Sequence, residues 1–281
     1  MNWHGQLNLN YWRDGERTVA LDRHEGPLRV LQRLYPEHPS VCHHVLVHPP
    51  GGIAGGDVLD VHVDMAPDSH ALITTPGATR FYKSHQHEAV QHLHARVAPG
   101  ARLEWLPLET LAYRGCRAVN RMAFELAEGA EMMGWDVLAL GLPAAGEHFD
   151  DPAFAHGRFT QDIRLPGVWL ERGTVAAHDA TLLDSPVGWD GRRVMATLWW
   201  ASGSPTKVSH RDALLDAARS LQASSPLATH SGSTSPNAQL VVLRVLADRV
   251  EPAMGLLSAV WAQWRQTAWG LAPCPPRVWR T

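Results

Sequence analysis

The sequence predicts a mainly β chain of stacked strand-and-turn units, with two helices in its last third. Three observations carry this reading. A turn followed by a short strand-like run recurs at residues 66, 98 and 127, at intervals of 32 and 29 residues. A period of that length marks supersecondary units that bury their apolar sides on one another. The remaining apolar runs are short and bounded by turn residues, as strands are. Strands and helices do not alternate regularly, which disfavours a doubly wound parallel fold.

The recurring units come first. Ala66-Pro67-Asp68-Ser69 precedes His70-Ala71-Leu72-Ile73-Thr74-Thr75, Ala98-Pro99-Gly100-Ala101 precedes Arg102-Leu103-Glu104-Trp105-Leu106, and Ala127-Glu128-Gly129-Ala130 precedes Glu131-Met132-Met133-Gly134-Trp135. Leu165-Pro166-Gly167-Val168-Trp169-Leu170-Glu171 is a fainter fourth copy. A sandwich whose hairpins share turn chemistry fits the same signals, because the period drifts where solenoids are usually stricter. Residues 41–47 and 58–63 read as strands, the second alternating at Val61, His62, Val63 and Asp64. Residues 195–201 and 240–247 are nearly continuous apolar runs, expected of strands covered on both faces.

Helix signals sit late. Over 211–222, Leu214, Ala218 and Leu221 share one face. Pro252 suits a first helical turn, and Met254, Leu257, Trp261, Trp264 and Ala268 follow at helical spacing until Gly270 and Pro273 end the run. This aromatic stripe, with Trp269 beside it, reads as core. Residues 224–238 are rich in Ser, Thr, Pro and Asn and read as a mobile loop. They separate no two cores, so the whole chain, 1–281, reads as one domain.

Composition excludes several functions. The net charge of −3 lacks the excess a nucleic-acid binder needs. No apolar run reaches transmembrane length, and Met1-Asn2-Trp3-His4-Gly5 does not open a secretory signal. Cys42, Cys116 and Cys274 are few, odd in number and far apart, which fits a reducing compartment. Histidine is abundant, at 17 residues. Imidazole binds borderline metals, so the histidines are either a metal-handling surface or polar strand-edge residues.

The densest signal is His48-Pro49-Pro50-Gly51-Gly52-Ile53-Ala54-Gly55-Gly56-Asp57. Pro50, Gly51, Gly52, Gly55 and Gly56 dictate an irregular backbone path that closes on a carboxylate. Gly51 and Gly56 have the glycine spacing of a phosphate-binding loop, but Asp57 and Val58 stand where its Lys and Ser or Thr must be. Nucleotide hydrolysis is therefore not the function of this loop.

These residues resemble the UreD (UreH) family of urease accessory proteins. The likeness runs through Pro49–Asp57, then Thr74-Thr75-Pro76-Gly77-Ala78-Thr79-Arg80-Phe81-Tyr82-Lys83-Ser84, Leu106-Pro107-Leu108-Glu109-Thr110 and Tyr113-Arg114-Gly115. It continues through Gly134-Trp135-Asp136-Val137-Leu138-Ala139-Leu140-Gly141, Ala145-Gly146-Glu147, Glu171-Arg172-Gly173 and Pro276-Arg277-Val278-Trp279. Val58 and Leu142 depart from the usual pattern. The resemblance implies a β-helical or superhelical, solenoid-like body with two or so helices. It implies a cytoplasmic, non-enzymatic maturation factor that binds urease apoprotein and a UreF-like protein, and through it a UreG-like GTPase. It also implies transient Ni²⁺ passing through an internal channel, with no tightly bound cofactor.

A nickel passage needs sparse oxygen ligands, because a complete nitrogen and oxygen site would hold the ion too firmly. Asp57, Glu109, Asp136, Glu147 and Glu171 lie within the family-like segments and are the candidates. Each has a structural alternative. Asp57 can cap its own glycine turn. Glu109 and Glu147 can pair with Arg80 or Arg114, and Glu171 with Arg172. Asp136 must point away from one apolar face. His85, His87, His92 and His94 form a separate possible metal site if the two pairs face each other across a hairpin. Two other functions fit parts of the sequence: a carbohydrate-active solenoid enzyme using Glu104 and Glu109, and a histidine-rich metal store.

Overall fold

Alternation along the chain sorts the strands into two facing sheets. The computed structural model describes residues 3–280. The strands of the first half are β1 (His4–Asp14), β2 (Arg17–Glu25), β3 (Arg29–Leu34), β4 (Val41–Val47), β5 (Val58–Met65), β6 (His70–Thr74), β7 (Thr79–Phe81), β8 (Ala89–Val97), β9 (Arg102–Trp105), β10 (Thr110–Ala112), β11 (Arg117–Leu126) and β12 (Glu131–Leu140). β13 (Arg158–Leu165), β14 (Trp169–Ala176), α1 (Ala180–Asp184), β15 (Val194–Ser202), α2 (Val208–Ala223), β16 (Ser231–Asn237), β17 (Leu240–Ala247) and α3 (Val250–Trp269) follow. The first sheet runs β14-β13-β11-β8-β5-β1-β2, and the second runs β16-β17-β15-β12-β9-β6-β4-β3. The short parallel pair β7 and β10 joins the second sheet at β12.

The central strands are parallel and the chain winds between the sheets, making a β-solenoid of about three turns. The sequence period is the pairing register. Val58 pairs with Val90 and His70 with Arg102, while Ala89 pairs with Ala118 and Arg102 with Glu131. These are the offsets that separate the three recurring turns. The turns stack on one another: Asp68 N–H donates to the Pro99 carbonyl at 3.2 Å, and Gly100 N–H to the Gly129 carbonyl at 3.2 Å. Asp68, Gly100 and Gly129 hold the left-handed conformation at the equivalent place, with φ of 60°, 73° and 76°. Glycine takes it without strain, and Asp is among the few other residues that tolerate it.

The fainter fourth copy is not a coil. Leu165 to Trp169 closes an antiparallel hairpin between β13 and β14, so Pro166 and Gly167 serve a tight reversal instead of a stacked corner. The polar 224–238 segment is also corrected, because it carries strand β16, paired antiparallel with β17. Its polar composition suits an edge strand, and Pro236 sits where the register shifts, the place a sheet accepts proline.

One layer of side chains fills the space between the sheets, and another lies under the helices. Leu59, Val61, Val63 and Met65 of β5 point inward while Asp60, His62 and Asp64 point out. On β12, Met132, Leu138 and Leu140 join the inter-sheet core, whereas Met133, Trp135, Val137 and Ala139 pack beneath α2 and α3. Two covered faces explain its continuous apolar run. Trp261 and Trp264 are fully buried in the helix-side core, as the stripe on α3 predicts. Gly270 ends α3 in the left-handed conformation, φ 67°, its N–H donating back into the last turn. Among the described residues no helix is long and apolar enough to cross a membrane.

A buried ionic cluster fastens α3 to the solenoid. Arg265, with no exposed surface, donates through Nη2 to Glu37 Oε1 at 2.7 Å and through Nε to Glu104 Oε1 at 3.2 Å. His43 meets Glu37 at 2.7 Å. Glu104 also accepts from Trp261 Nε1 at 2.7 Å and lies 2.8 Å from His70 Nε2.

Candidate functional site

The strand phase that buries Leu93 and Met122 also turns three amides inward. Gln91 of β8, Asn120 of β11 and Gln161 of β13 are successive partners in the parallel register. Gln91 Nε2 donates to Asn120 Oδ1 at 3.3 Å, and Asn120 Nδ2 to Gln161 Oε1 at 3.2 Å. The result is an amide ladder along the solenoid axis, with a cavity at each end.

The cavity at the Gln91 end has a volume of about 240 Å³ and is lined by His48, Gly52, Thr75, Arg80 and Trp105 among others. Its rim is the glycine-rich loop. Ile53 N–H donates to the Arg80 carbonyl at 2.7 Å, Tyr82 N–H to the Ile53 carbonyl at 3.0 Å, and Gly56 N–H to the Glu88 carbonyl at 2.8 Å. This docking requires bare backbone. A β-carbon on Gly52 would lie 2.2 Å from the Tyr82 ring, and one on Gly55 would lie 2.0 Å from Ser84 Oγ and 2.9 Å from the His87 carbonyl oxygen. Replacing Gly55 by Ala is therefore expected to lower stability by about 1–3 kcal/mol, the usual cost of overpacking. A denaturant midpoint shifted at constant slope would show it, and an unchanged midpoint would mean that the loop yields freely.

The cavity at the Gln161 end, about 390 Å³, is lined by Asp136, Gln161, Glu171, Trp189, Thr197 and Arg244 among others. Asp136, Thr197 and Arg244 are register partners on β12, β15 and β17, so their side chains enter side by side from the second sheet. Glu171 enters from β14 on the first sheet and accepts from Arg244 Nη2 across the gap. Asp136 is 9 % exposed, and burial, reinforced by the Glu171 carboxylate, pushes its pKa up to about 7. The Gln161 amide and the Arg244 guanidinium oppose that rise.

Of the five candidate acids, two share this cavity and three lie elsewhere. Asp57 caps the glycine loop: its Oδ1 accepts from Trp3 N–H and its Oδ2 from Ala54 N–H, both at 3.0 Å. Glu147 faces Arg114 at 3.5 Å near the surface. Glu109 is half-buried, lines neither cavity, and makes no side-chain hydrogen bond or ion pair among the described residues. Glu171 pairs with Arg244 and not with Arg172, whose guanidinium lies on the opposite face of β14 against Asp162 at 2.8 Å. Asp136 and Glu171 thus share a cavity with the Gln161 end of the amide row, and Asp57, Glu109 and Glu147 line neither cavity.

The histidine pairs do not meet. His85 and His87 lie on an exposed bend, not a strand, and His85 stacks on His156 at 5.3 Å. His92 and His94 are on the outer face of β8, where neighbouring strands supply a carboxylate for each: Asp60 at 2.9 Å and Glu125 at 2.8 Å. Among the described residues no group of three or more His, Cys, Asp or Glu is arranged to hold a metal ion. Glu104 and Glu109 are not brought together as an acid–base pair. Glu104, on β9, is sealed beneath α3 among Arg265, Trp261 and His70, whereas Glu109 lies beyond the end of β9 and is half-buried.

The profile of the UreD urease accessory proteins matches residues 4–280, and so spans both sheets, both cavities and α3. This chain belongs to that family. Its relatives include the urease accessory protein UreD of Leptothrix cholodnii, 60% identical over 100% of both chains. Those of Variovorax paradoxus, 53% identical over 100% of both, and Paracidovorax citrulli, 52% identical over 99% of both, are similar along the same length.

Sequence reasoning about this UreD-family chain misses Gln91, Asn120, Gln161 and Arg244. A signal exists for the first two, because Gln91 and Asn120 are separated by the same interval as the second and third turns. Polar residues that recur in phase with stacked turns face the same way.

Proposed function

We propose that the chain is a non-catalytic, cytoplasmic factor of urease maturation that hands Ni²⁺ towards urease through the inter-sheet interior. The observation that supports this reading best is the cavity holding Asp136 and Glu171, joined by the Gln91–Asn120–Gln161 ladder to a second cavity. Two carboxylates attract a divalent cation without completing its coordination, and amide oxygens can take part in its shell without adding charge. Among the described residues Arg244 Nε is buried without a protein hydrogen-bond partner. Buried donors of this kind are ordinarily met by water, and a passage shared with water suits a partly hydrated ion. Weak, successive contacts let the ion leave as readily as it enters.

The partners in this reading are urease apoprotein, a UreF-like protein and, through it, a UreG-like GTPase. The test is co-expression of all four, followed by co-purification and nickel counting on urease. Asp136→Ala and Glu171→Gln are expected to retain the partners while nickel per urease falls by roughly tenfold or more, the range typical of disturbing a metal's ligand shell. Full nickel loading with both variants would exclude the passage.

A further inference from the structure

The cavity at the Gln161 end already holds a cation of the protein's own. Arg244 crosses from the second sheet to Glu171 on the first, and Asp136 stands two strands away in the same register row. Its guanidinium is poorly satisfied. Among the described residues Nη2 donates to Glu171, Nη1 reaches only the Met195 sulfur at 3.5 Å, and Nε has no partner. A guanidinium offers five donors in a fixed fork and is held firmly when two oxygens receive it side by side. Here a single carboxylate oxygen does so. The Arg244 side chain is 39% exposed and that of Glu171 25%, so a displaced guanidinium has water to enter.

The charge balance gives this arrangement a consequence. Once Asp136 has given up its proton, Asp136 and Glu171 together would present two negative charges to an arriving divalent ion. With Arg244 seated, the cavity presents one, and the ion must share or contest the Glu171 carboxylate with the guanidinium. We propose that Arg244 is a tethered, displaceable competitor that sets how tightly a divalent cation binds between Asp136 and Glu171. It keeps the site weak at rest and returns to Glu171 as the ion departs. This inference rests on the proposed passage and assigns its affinity control to one residue. A purely structural Arg244 would only tie β14 to β17, and its loss would weaken the fold without improving metal binding.

The test is calorimetric titration of the full-length chain with NiCl₂ at fixed ionic strength, with thermal melting as a check on folding. Arg244→Gln and the bulk-conserving Arg244→Met are expected to bind Ni²⁺ roughly tenfold or more tightly than the parent, because a like charge a few ångström from the site is removed. Arg244→Lys, which keeps the charge, is expected to stay near the parent. Adding Glu171→Gln to Arg244→Gln is expected to abolish the gain. Unchanged or weaker binding by the folded Gln and Met variants would overturn the proposal, as would a gain that survives loss of Glu171. Loss of a cooperative melt in both variants would assign Arg244 a structural role and overturn it equally. Nickel delivery to urease reads the passage itself: normal delivery by Asp136→Ala and Glu171→Gln sinks the passage, whereas unaltered Ni²⁺ affinity in Arg244→Gln sinks only the competitor.

Discussion

Replacing Arg265 by Ala is expected to destabilise the chain by about 3–5 kcal/mol, the range for breaking a buried ion cluster by removing one partner. Arg265 is wholly enclosed and bridges Glu37 and Glu104. Its removal leaves the fully buried Glu104 carboxylate, and the partly buried Glu37 beside it, without their shared cation. The loss is one of imbalance more than of attraction. Arg265→Met combined with Glu37→Gln and Glu104→Gln is therefore expected to recover much of the deficit. Urea titration of the single and triple variants measures both. Equal midpoints for the parent and Arg265→Ala would show that the cluster does not fasten α3.

The same cluster makes the fold acid-sensitive, and its groups act with one sign. Burial holds His70 below the usual imidazole value, against the pull of Glu104. Burial alone would raise Glu104, but the hydrogen bond from His70 and the charges of His70 and Arg265 keep it low, and His43 and Arg265 do the same for Glu37. A depressed folded-state value means that the unfolded chain takes up protons first. Stability held by His70 is expected to decline as pH falls below about 6.5, the unperturbed imidazole value, and that held by the two glutamates below about 4.5. Melting temperatures across that range report the slope.

The solenoid was legible because its corners repeat. The turns at 66, 98 and 127 differ in composition, yet their spacing equals the strand register, since each coil must return to the same corner. The α3 stop was legible because Gly270 does a job few other residues do. What stayed hidden depends on which strands pair. Arg244 stands out as a lone charge in the apolar run of β17, but its entry beside Asp136 follows only from the β12–β15–β17 register. The N-terminal hairpin β1–β2 is not among the expected elements, although Leu7, Leu9 and Tyr11 alternate. The histidine pairs misled for the converse reason. His92-Leu93-His94 does share a strand face, but that face is the solvent side, where Asp60 and Glu125 already meet the imidazoles.

Replacing Asp136 by Asn is expected to stabilise the protein above neutral pH while impairing nickel delivery. A carboxyl that titrates near 7 when folded and at about 3.8 when unfolded keeps its proton better in the native state. Between those values the native state binds more protons, so the parent loses stability relative to the amide as pH rises, and the full cost is present above about pH 7. The shift corresponds to at most about 4 kcal/mol, at roughly 1.4 kcal/mol per unit. The amide has nearly the same size and removes the charge, so Thr197 and Gln161 keep their neighbour. The predicted signature is a difference in melting temperature that is small near pH 4, grows to about pH 7 and then levels off. A difference independent of pH would mean that Asp136 does not titrate in this cavity. With Gly134 and Trp135 before it and Val137 and Leu138 after it, position 136 could be filled by a residue that costs the fold less. A carboxylate that weakens the fold at neutral pH is what the proposed passage requires at this position, and Asp136→Asn separates the two effects, stability rising while nickel delivery falls.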